Sequence, residues 1–195
     1  MGEIIFGKRS VFEALENDIQ IDKVFMDKNS LHMDNIKRVI IEKKIKISFV
    51  PIEKLNNLTR KNHQGIVATI SPVKTFNLKD LEVAIDNNHS NFLILDNITD
   101  TKNFGAIVRS SECLGVNGII ISKTGCSPIN GDTIKSSSGA IFNLPIYKLD
   151  HIKDAIFLFK EKNIEIIGAD EKSENSLFNF KFNKKTAIIM GSEGK

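Results

Sequence analysis

Cysteine is scarce in this 195-residue chain, with Cys113 and Cys126 its only two. Two thiols cannot build a disulfide framework; they suit a reducing compartment, where a buried small residue is the ordinary role. Four scattered histidines and these cysteines show no zinc-finger spacing, so no metal site is expected. Nowhere do 18 apolar residues run together, which argues against a membrane-spanning helix. The opening MGEIIFGKRS carries an early acid and no long apolar run, so it does not read as a secretory signal. It also lacks the serine or threonine that myristoylation of Gly2 would need.

What is present suffices for one ordinary domain or two small ones, since 41% of the residues are hydrophobic and each unit can bury a core. The net charge of +3 is unevenly spread. Residues 1–75 hold 13 Lys/Arg against 9 Asp/Glu, and residues 76–195 hold 14 against 15. A basic front half suits a polyanionic partner, although solvated lysine faces give the same count.

Short β-branched and aromatic runs bounded by turn formers predict strands at residues 4–6, 23–26, 46–50 and 65–70. Between them, residues 10–15 and 34–44 read as helices, with Ser10 and Asp34 as expected N-caps. The stretch SPVKT at 71–75 breaks the pattern, because proline cannot donate to a sheet and restricts its predecessor. A linker is expected there, with a connecting helix at 80–87.

In the second half, FLIL (92–95), GIII (118–121), IEII (164–167) and AIIM (187–190) are apolar runs of strand length without alternation. Such runs mark strands buried on both faces of a parallel sheet. Helices expected at 103–114, 132–138 and 149–162 complete a doubly wound α/β layer. Ligands of such sheets bind beyond the carboxyl ends of the strands. Those ends fall at residues 96–103, 122–130, 168–170 and 191–195. The last strand runs into the turn GSEGK, where the sequence ends; a central parallel strand normally continues into a crossover, so an early stop is the expectation.

The loop after the first of these strands, DNITDTKNFGAIVR, lacks the G-x-G-x-x-G of a classical nucleotide-binding turn. That excludes an ordinary Rossmann dehydrogenase and the glycine-rich methyltransferase fold. Asn103 stands at the expected helix start, followed by Gly105 and, six residues on, Arg109. Asn103 could simply cap the helix, and Arg109 could pair with Glu112 at i+3. On spacing alone those are the commoner roles. The small-residue run Ser136-Ser137-Ser138-Gly139 suits close backbone packing, with Gly139 as a C-cap; a serine-rich face toward phosphate is the alternative.

Together these pieces are more specific. LDNITDTKNFGAIVRSSECLG closely resembles the first signature of the SpoU (TrmH) family of RNA 2′-O-methyltransferases, built on an asparagine, a glycine and an arginine at this spacing. IKSSSGAIFNLPI is similar to the family's middle segment, and IIMGSEGK to the start of its second signature. Gly7-Lys8-Arg9-Ser10-Val11 and His63-Gln64-Gly65-Ile66-Val67-Ala68 resemble the edges of a substrate domain like ribosomal protein L30e. That domain belongs to the branch acting on large-subunit ribosomal RNA. The resemblance implies an L30e-like domain at 1–73, a linker and connecting helix at 74–90, and a SPOUT-type α/β-knot domain with a Rossmann-like parallel sheet at 91–195. The family's third signature would lie beyond Lys195, leaving the trefoil knot incomplete and the 195-residue form a poor binder of methyl donor.

The resemblance further implies a cytoplasmic homodimer that moves a methyl group from S-adenosylmethionine to a guanosine 2′-hydroxyl of 23S ribosomal RNA, without a metal. Transfer RNA as substrate, and an RNA-binding module without catalysis, are the alternatives. Asn103, Arg109 and Glu193 match the catalytic positions. Gly168, Ala169 and Gly191 match the donor's surroundings. Lys8, Arg9, Arg60, Lys61 and His63 are the expected RNA contacts, with His63 better suited to holding a turn than to catalysis. Arg109 is better suited to holding the target phosphate or stabilising an alkoxide than to taking a proton, because guanidinium stays protonated in proteins.

Overall fold

A computed structural model describes residues 2–30, 33–182 and 184–192. The chain forms two compact units, Met1–Val73 with Ile129–Asn143 and Lys74–Pro128 with Leu144–Lys195.

The first unit opens with β1 (Glu3–Phe6), α1 (Lys8–Glu16), β2 (Ile21–Asp27), α2 (Asp34–Glu42), β3 (Ile47–Val50), α3 (Ile52–Leu58) and β4 (Ile66–Ile70). Its sheet has the order β1-β4-β2-β3, with β4 antiparallel to both neighbours and β2 parallel to β3. The four expected strands and two expected helices are all there. Their caps differ. α1 starts at Lys8, behind Gly7 at φ 93°, which puts Ser10 inside the helix, buried, its hydroxyl without a hydrogen-bond partner. The N-cap of α2 is Met33, so Asp34 occupies the first turn and complements the helix dipole instead. The short α3 escapes periodicity because only Leu55 is fully buried.

The second unit begins with α4 (Leu78–Asp86), whose Asn77 forms a reciprocal capping box with Asp80. There follow β5 (Asn91–Leu95), α5 (Thr101–Cys113) and β6 (Gly118–Ser122). The chain then contributes α6 (Gly131–Ser136) and a 3-10 turn (Ala140–Phe142) to the first unit. α6 lies on β1 so closely that a Cβ on Gly131 would stand 2.2 Å from the Ile4 carbonyl oxygen, and the Gly131 amide donates to Glu3 Oε1 at 2.9 Å. The small-residue run thus serves close packing. Ser138 (φ 55°), not Gly139, takes the first left-handed position after the helix. The amides of Ser138 and Gly139 close the helix end on the Lys135 and Ile134 carbonyls.

β7 (Ile146–Leu149), α7 (Ile152–Glu161), β8 (Glu165–Ala169), a 3-10 turn (Leu177–Asn179) and β9 (Thr186–Met190) complete the second unit. Its five strands are all parallel, in the order β7-β6-β5-β9-β8. β7 was not expected, because Lys148 interrupts an otherwise apolar tetrapeptide. β5 and β6 are buried nearly throughout, as their unbroken apolar runs require. Phe92 stacks on Phe159 at 5.1 Å, and Leu81, Ile94, Ile120 and Ala187 close the same core.

Candidate functional site

The strand order dictates where a ligand can enter the second unit. From β5 the chain winds outward through β6 to β7, then crosses to β8 and returns to β9 on β5's other side. The connections on the two sides of β5 therefore run in opposite directions. A cleft opens at such a topological switch point, beyond the carboxyl ends of the strands.

A cavity of about 270 Å³ lies there. Its walls are the residues after β5 (Asn97, Ile98, Thr99, Asp100), Asn103 and Ile107 of α5, and Met190, Gly191 and Ser192 at the end of β9. Backbone bonding fixes the loop: the Asp96 amide donates to the Met190 carbonyl at 2.9 Å, and the Ser127 amide to the Ile98 carbonyl at 2.7 Å. Asn97 takes a left-handed conformation at φ 56°.

Asp100, not Asn103, caps α5. Its Oδ1 accepts the amides of Lys102 at 2.9 Å and Asn103 at 2.7 Å. The cap frees the Asn103 side chain for the cavity, which Asn103 shares with Ile107 one turn on. At about 100° per residue, Arg109 stands about 120° around the helix axis from Asn103. It is exposed and does not line this cavity. Nor does it pair with Glu112: among the described residues its guanidinium makes no ion pair.

The adjacent strand end carries Gly168 and Ala169, in register with Ile189 and Met190. Both line a larger cavity of about 740 Å³ walled by residues 165–171 with Ser173, Asn175, Ser176 and Phe180. No residue of the first signature is among those lining it. A Cβ built on Gly168 or on Gly191 would meet nothing within 4 Å, so a ligand can approach both backbones closely. Glu193 lies outside the described residues.

The structure thus brings Asn103 and Gly191 to one cavity and Gly168 with Ala169 to its neighbour. Asp100, Ile107 and Met190 were not singled out from the sequence. An acid three residues before Asn103 was the available signal for the first.

The basic residues expected to meet RNA lie in the first unit. Arg60 is exposed; Lys61 is exposed and paired with Asp132; Arg9 is paired with Glu13. Gln64 Oε1 accepts the Lys8 amide at 3.1 Å and Lys135 Nζ at 2.9 Å. Burial holds the Lys135 ammonium below the usual lysine range. His63 is buried: Nδ1 accepts the Gly65 amide at 3.0 Å, so Nε2 carries the proton toward Asn56 Oδ1, also at 3.0 Å. It therefore holds the turn before β4. Among the described residues, no group of acids, histidines and cysteines is placed to hold a metal ion.

The profile of the SpoU rRNA Methylase family matches residues 90–195, and that of RNA 2′-O ribose methyltransferase substrate binding matches residues 4–76. A Bacillus subtilis (strain 168) protein, YacO, assigned to the TrmH family of tRNA/rRNA methyltransferases, is 31% identical across 99% of this chain and 79% of its own. The 23S rRNA (guanosine-2′-O-)-methyltransferase RlmB of Pectobacterium atrosepticum is 29% identical across 100% of this chain and 82% of its own. Among solved structures, the SpoU methyltransferase AviRb of Streptomyces viridochromogenes, in complex with S-adenosylmethionine, superposes with a TM-score of 0.78 at 18% identity. That match covers 98% of this chain and 73% of AviRb. An S-adenosylmethionine-bound rRNA methyltransferase from Sinorhizobium meliloti gives 0.76 at 18% identity, over 97% and 70%. At these identities the superpositions establish the fold.

Proposed function

Because the chain belongs to the SpoU rRNA methylase family of RNA methyltransferases, we propose that it methylates the ribose 2′-hydroxyl of a guanosine in 23S ribosomal RNA. S-adenosylmethionine is the proposed donor. The observation that carries this reading is the meeting of Asn103 and Gly191 in one cavity at the switch point of the parallel sheet. The 29% identical RlmB supports the choice of nucleoside and RNA. We assign residues 1–73 to substrate binding and 91–195 to methyl transfer, joined by 74–90. A cytoplasmic homodimer is part of the same proposal.

The residues present fit the donor. Gly168 and Gly191 leave open space beside two adjacent strand ends, and the larger cavity there, about 740 Å³, is within the size range of small-molecule pockets. When bound, the donor would supply a methyl group activated by its sulfonium, the thioether being the leaving group and the 2′-hydroxyl proton going to solvent. What remains for the protein is alignment and charge. Gly191 and the Gly168–Ala169 backbone would hold the donor. The Asn103 amide would orient the ribose by hydrogen bonds at the cavity wall. Arg109, exposed and making no ion pair among the described residues, would hold the target phosphate or stabilise the developing alkoxide. Glu193 would position Asn103, Arg109 or the substrate.

Incubation of the protein with labelled S-adenosylmethionine and purified 23S ribosomal or transfer RNA, followed by nuclease digestion and mass spectrometry, tests this. The expected product is 2′-O-methylguanosine from ribosomal RNA. Label in transfer RNA alone, label on a base, or RNA binding without label would each overturn the assignment. Arg109→Ala should lose turnover with its circular dichroism unchanged; full turnover would remove Arg109 from the mechanism.

A further inference from the structure

A third cavity, of about 430 Å³, opens on the same carboxyl edge of the parallel sheet, beyond β6 and β7. Lys79 from α4, Lys123 after β6, Lys148 from β7, and Asp150 and Asp154 flanking the start of α7 line it. Three ammonium groups, from α4, the residue after β6, and β7, face two carboxylates. Asp150 pairs with Lys123 at 2.9 Å; Asp154 sits in the first turn of α7, where the helix dipole favours a negative charge. Lys79 and Lys148 make no ion pair among the described residues. The start of α7 has no side-chain cap, its Asp154 amide closing on the His151 carbonyl at 3.1 Å, whereas the first amides of α4 are taken by Asn77.

The cavity lies on the α4–α7 face of the sheet's carboxyl edge, and the cavity holding Asn103 and Gly191 on the α5 face of the same edge. An RNA strand whose target ribose sits at the β5–β9 switch point would meet this cavity where it crosses the carboxyl edge from one face to the other. We propose that this cavity is an RNA backbone subsite, in which Lys79 and Lys148 hold a phosphodiester flanking the target nucleotide. The inference rests on the reading of RNA as substrate. Phosphate contacts set register and affinity without reading sequence, so the subsite would fix which ribose reaches Asn103.

The test is fluorescence anisotropy of a labelled single-stranded oligoribonucleotide, titrated with the full chain from about 50 to 200 mM salt. Each phosphate contact contributes roughly 0.7 to the slope of log affinity against log salt for single strands. Lys79→Gln/Lys148→Gln should lower the slope by about 1.4, and Lys79→Gln alone by about 0.7, keeping the test informative if the double variant misfolds. Lys79→Arg/Lys148→Arg should keep the wild-type slope. Lys160→Gln, at the far end of α7, should not change it. A wild-type slope in the glutamine variants, or an equal fall with Lys160→Gln, overturns the subsite. Binding and methyl transfer fail separately: a lowered slope in a protein that never incorporates label keeps the subsite and sinks the proposed function.

Discussion

Asp100 governs whether Asn103 is held where the proposed chemistry needs it. Its carboxylate takes two of the four amides that an α-helix leaves unpaired at its start, at 2.9 and 2.7 Å. Asp100→Ala removes that cap. Losing a capping oxygen costs about 1–2 kcal/mol. The loop is exposed and local, so the loss should appear as fraying of the first turn rather than global unfolding. At about 1.4 kcal/mol per factor of ten, the open-to-closed ratio of that turn rises roughly 5- to 30-fold. Hydrogen exchange at the Lys102 and Asn103 amides should accelerate by that factor, while the buried amides of β5 exchange as before. If Asn103 orients the ribose, kcat/KM should fall by no more than the same factor, because only the competent fraction turns over. Asp100→Asn keeps a capping oxygen and should restore both quantities. A fall in kcat/KM larger than the acceleration of exchange would refute this route to Asn103; unchanged exchange would refute the cap itself.

Three further outcomes follow from packing and burial. Phe159→Ala opens a void beneath Phe92 in a fully buried position and should cost about 3–5 kcal/mol, read as a lower urea midpoint. Gly131→Ala drives a Cβ to 2.2 Å from the Ile4 carbonyl and should cost about 1–3 kcal/mol. By contrast, Gly191→Ala meets open space, so its midpoint should stay within about 0.5 kcal/mol of wild type while methyl transfer falls; equal destabilisation by the two alanines would contradict the geometry. Burial, then the nearby Asp80 carboxylate, raises the Tyr147 phenol above its usual value. Its contribution is therefore full below pH about 10, where the unfolded phenol ionises, and is lost as pH rises through the higher folded value. Urea midpoints from pH 9 to 11 should decline in wild type and decline less in Tyr147→Phe.

The central strands of the second unit were legible because β5 and β6 are buried on both faces, so FLIL and GIII admit no polar alternation, while the apolar run AIIM marked β9 although its carboxyl end is partly exposed. β7 hid because a four-residue edge strand can turn Lys148 outward. Helix starts were the weakest reading. Ser10 looked like a cap, but Gly7 alone tolerates the φ of 93° at the turn into α1, where a Cβ would also strike Lys135. The pairing of Asn103 with Gly191 followed from strand ends alone. That Asn103 and Arg109 face different directions follows from six residues at helical pitch and could have been computed from the sequence.

The missing glycine-rich turn and the acid at Asp100 have one physical meaning. In a pyrophosphate-binding turn, glycines let the ligand's anion reach the free amides of a helix start, where the dipole favours negative charge. Here a carboxylate already occupies that position and takes the amides of Lys102 and Asn103. A phosphate-bearing dinucleotide would meet an occupied, like-charged helix end. A sulfonium nucleoside carries no phosphate, and its positive charge is compatible with Asp100 on the cavity wall. The anionic RNA would then be met by groups around the cavity instead: Arg109, exposed further along the same helix, and the lysines beyond β6 and β7. The two substrates of the proposed reaction, one cationic and one polyanionic, are thus separated by the charge pattern of a single sheet edge.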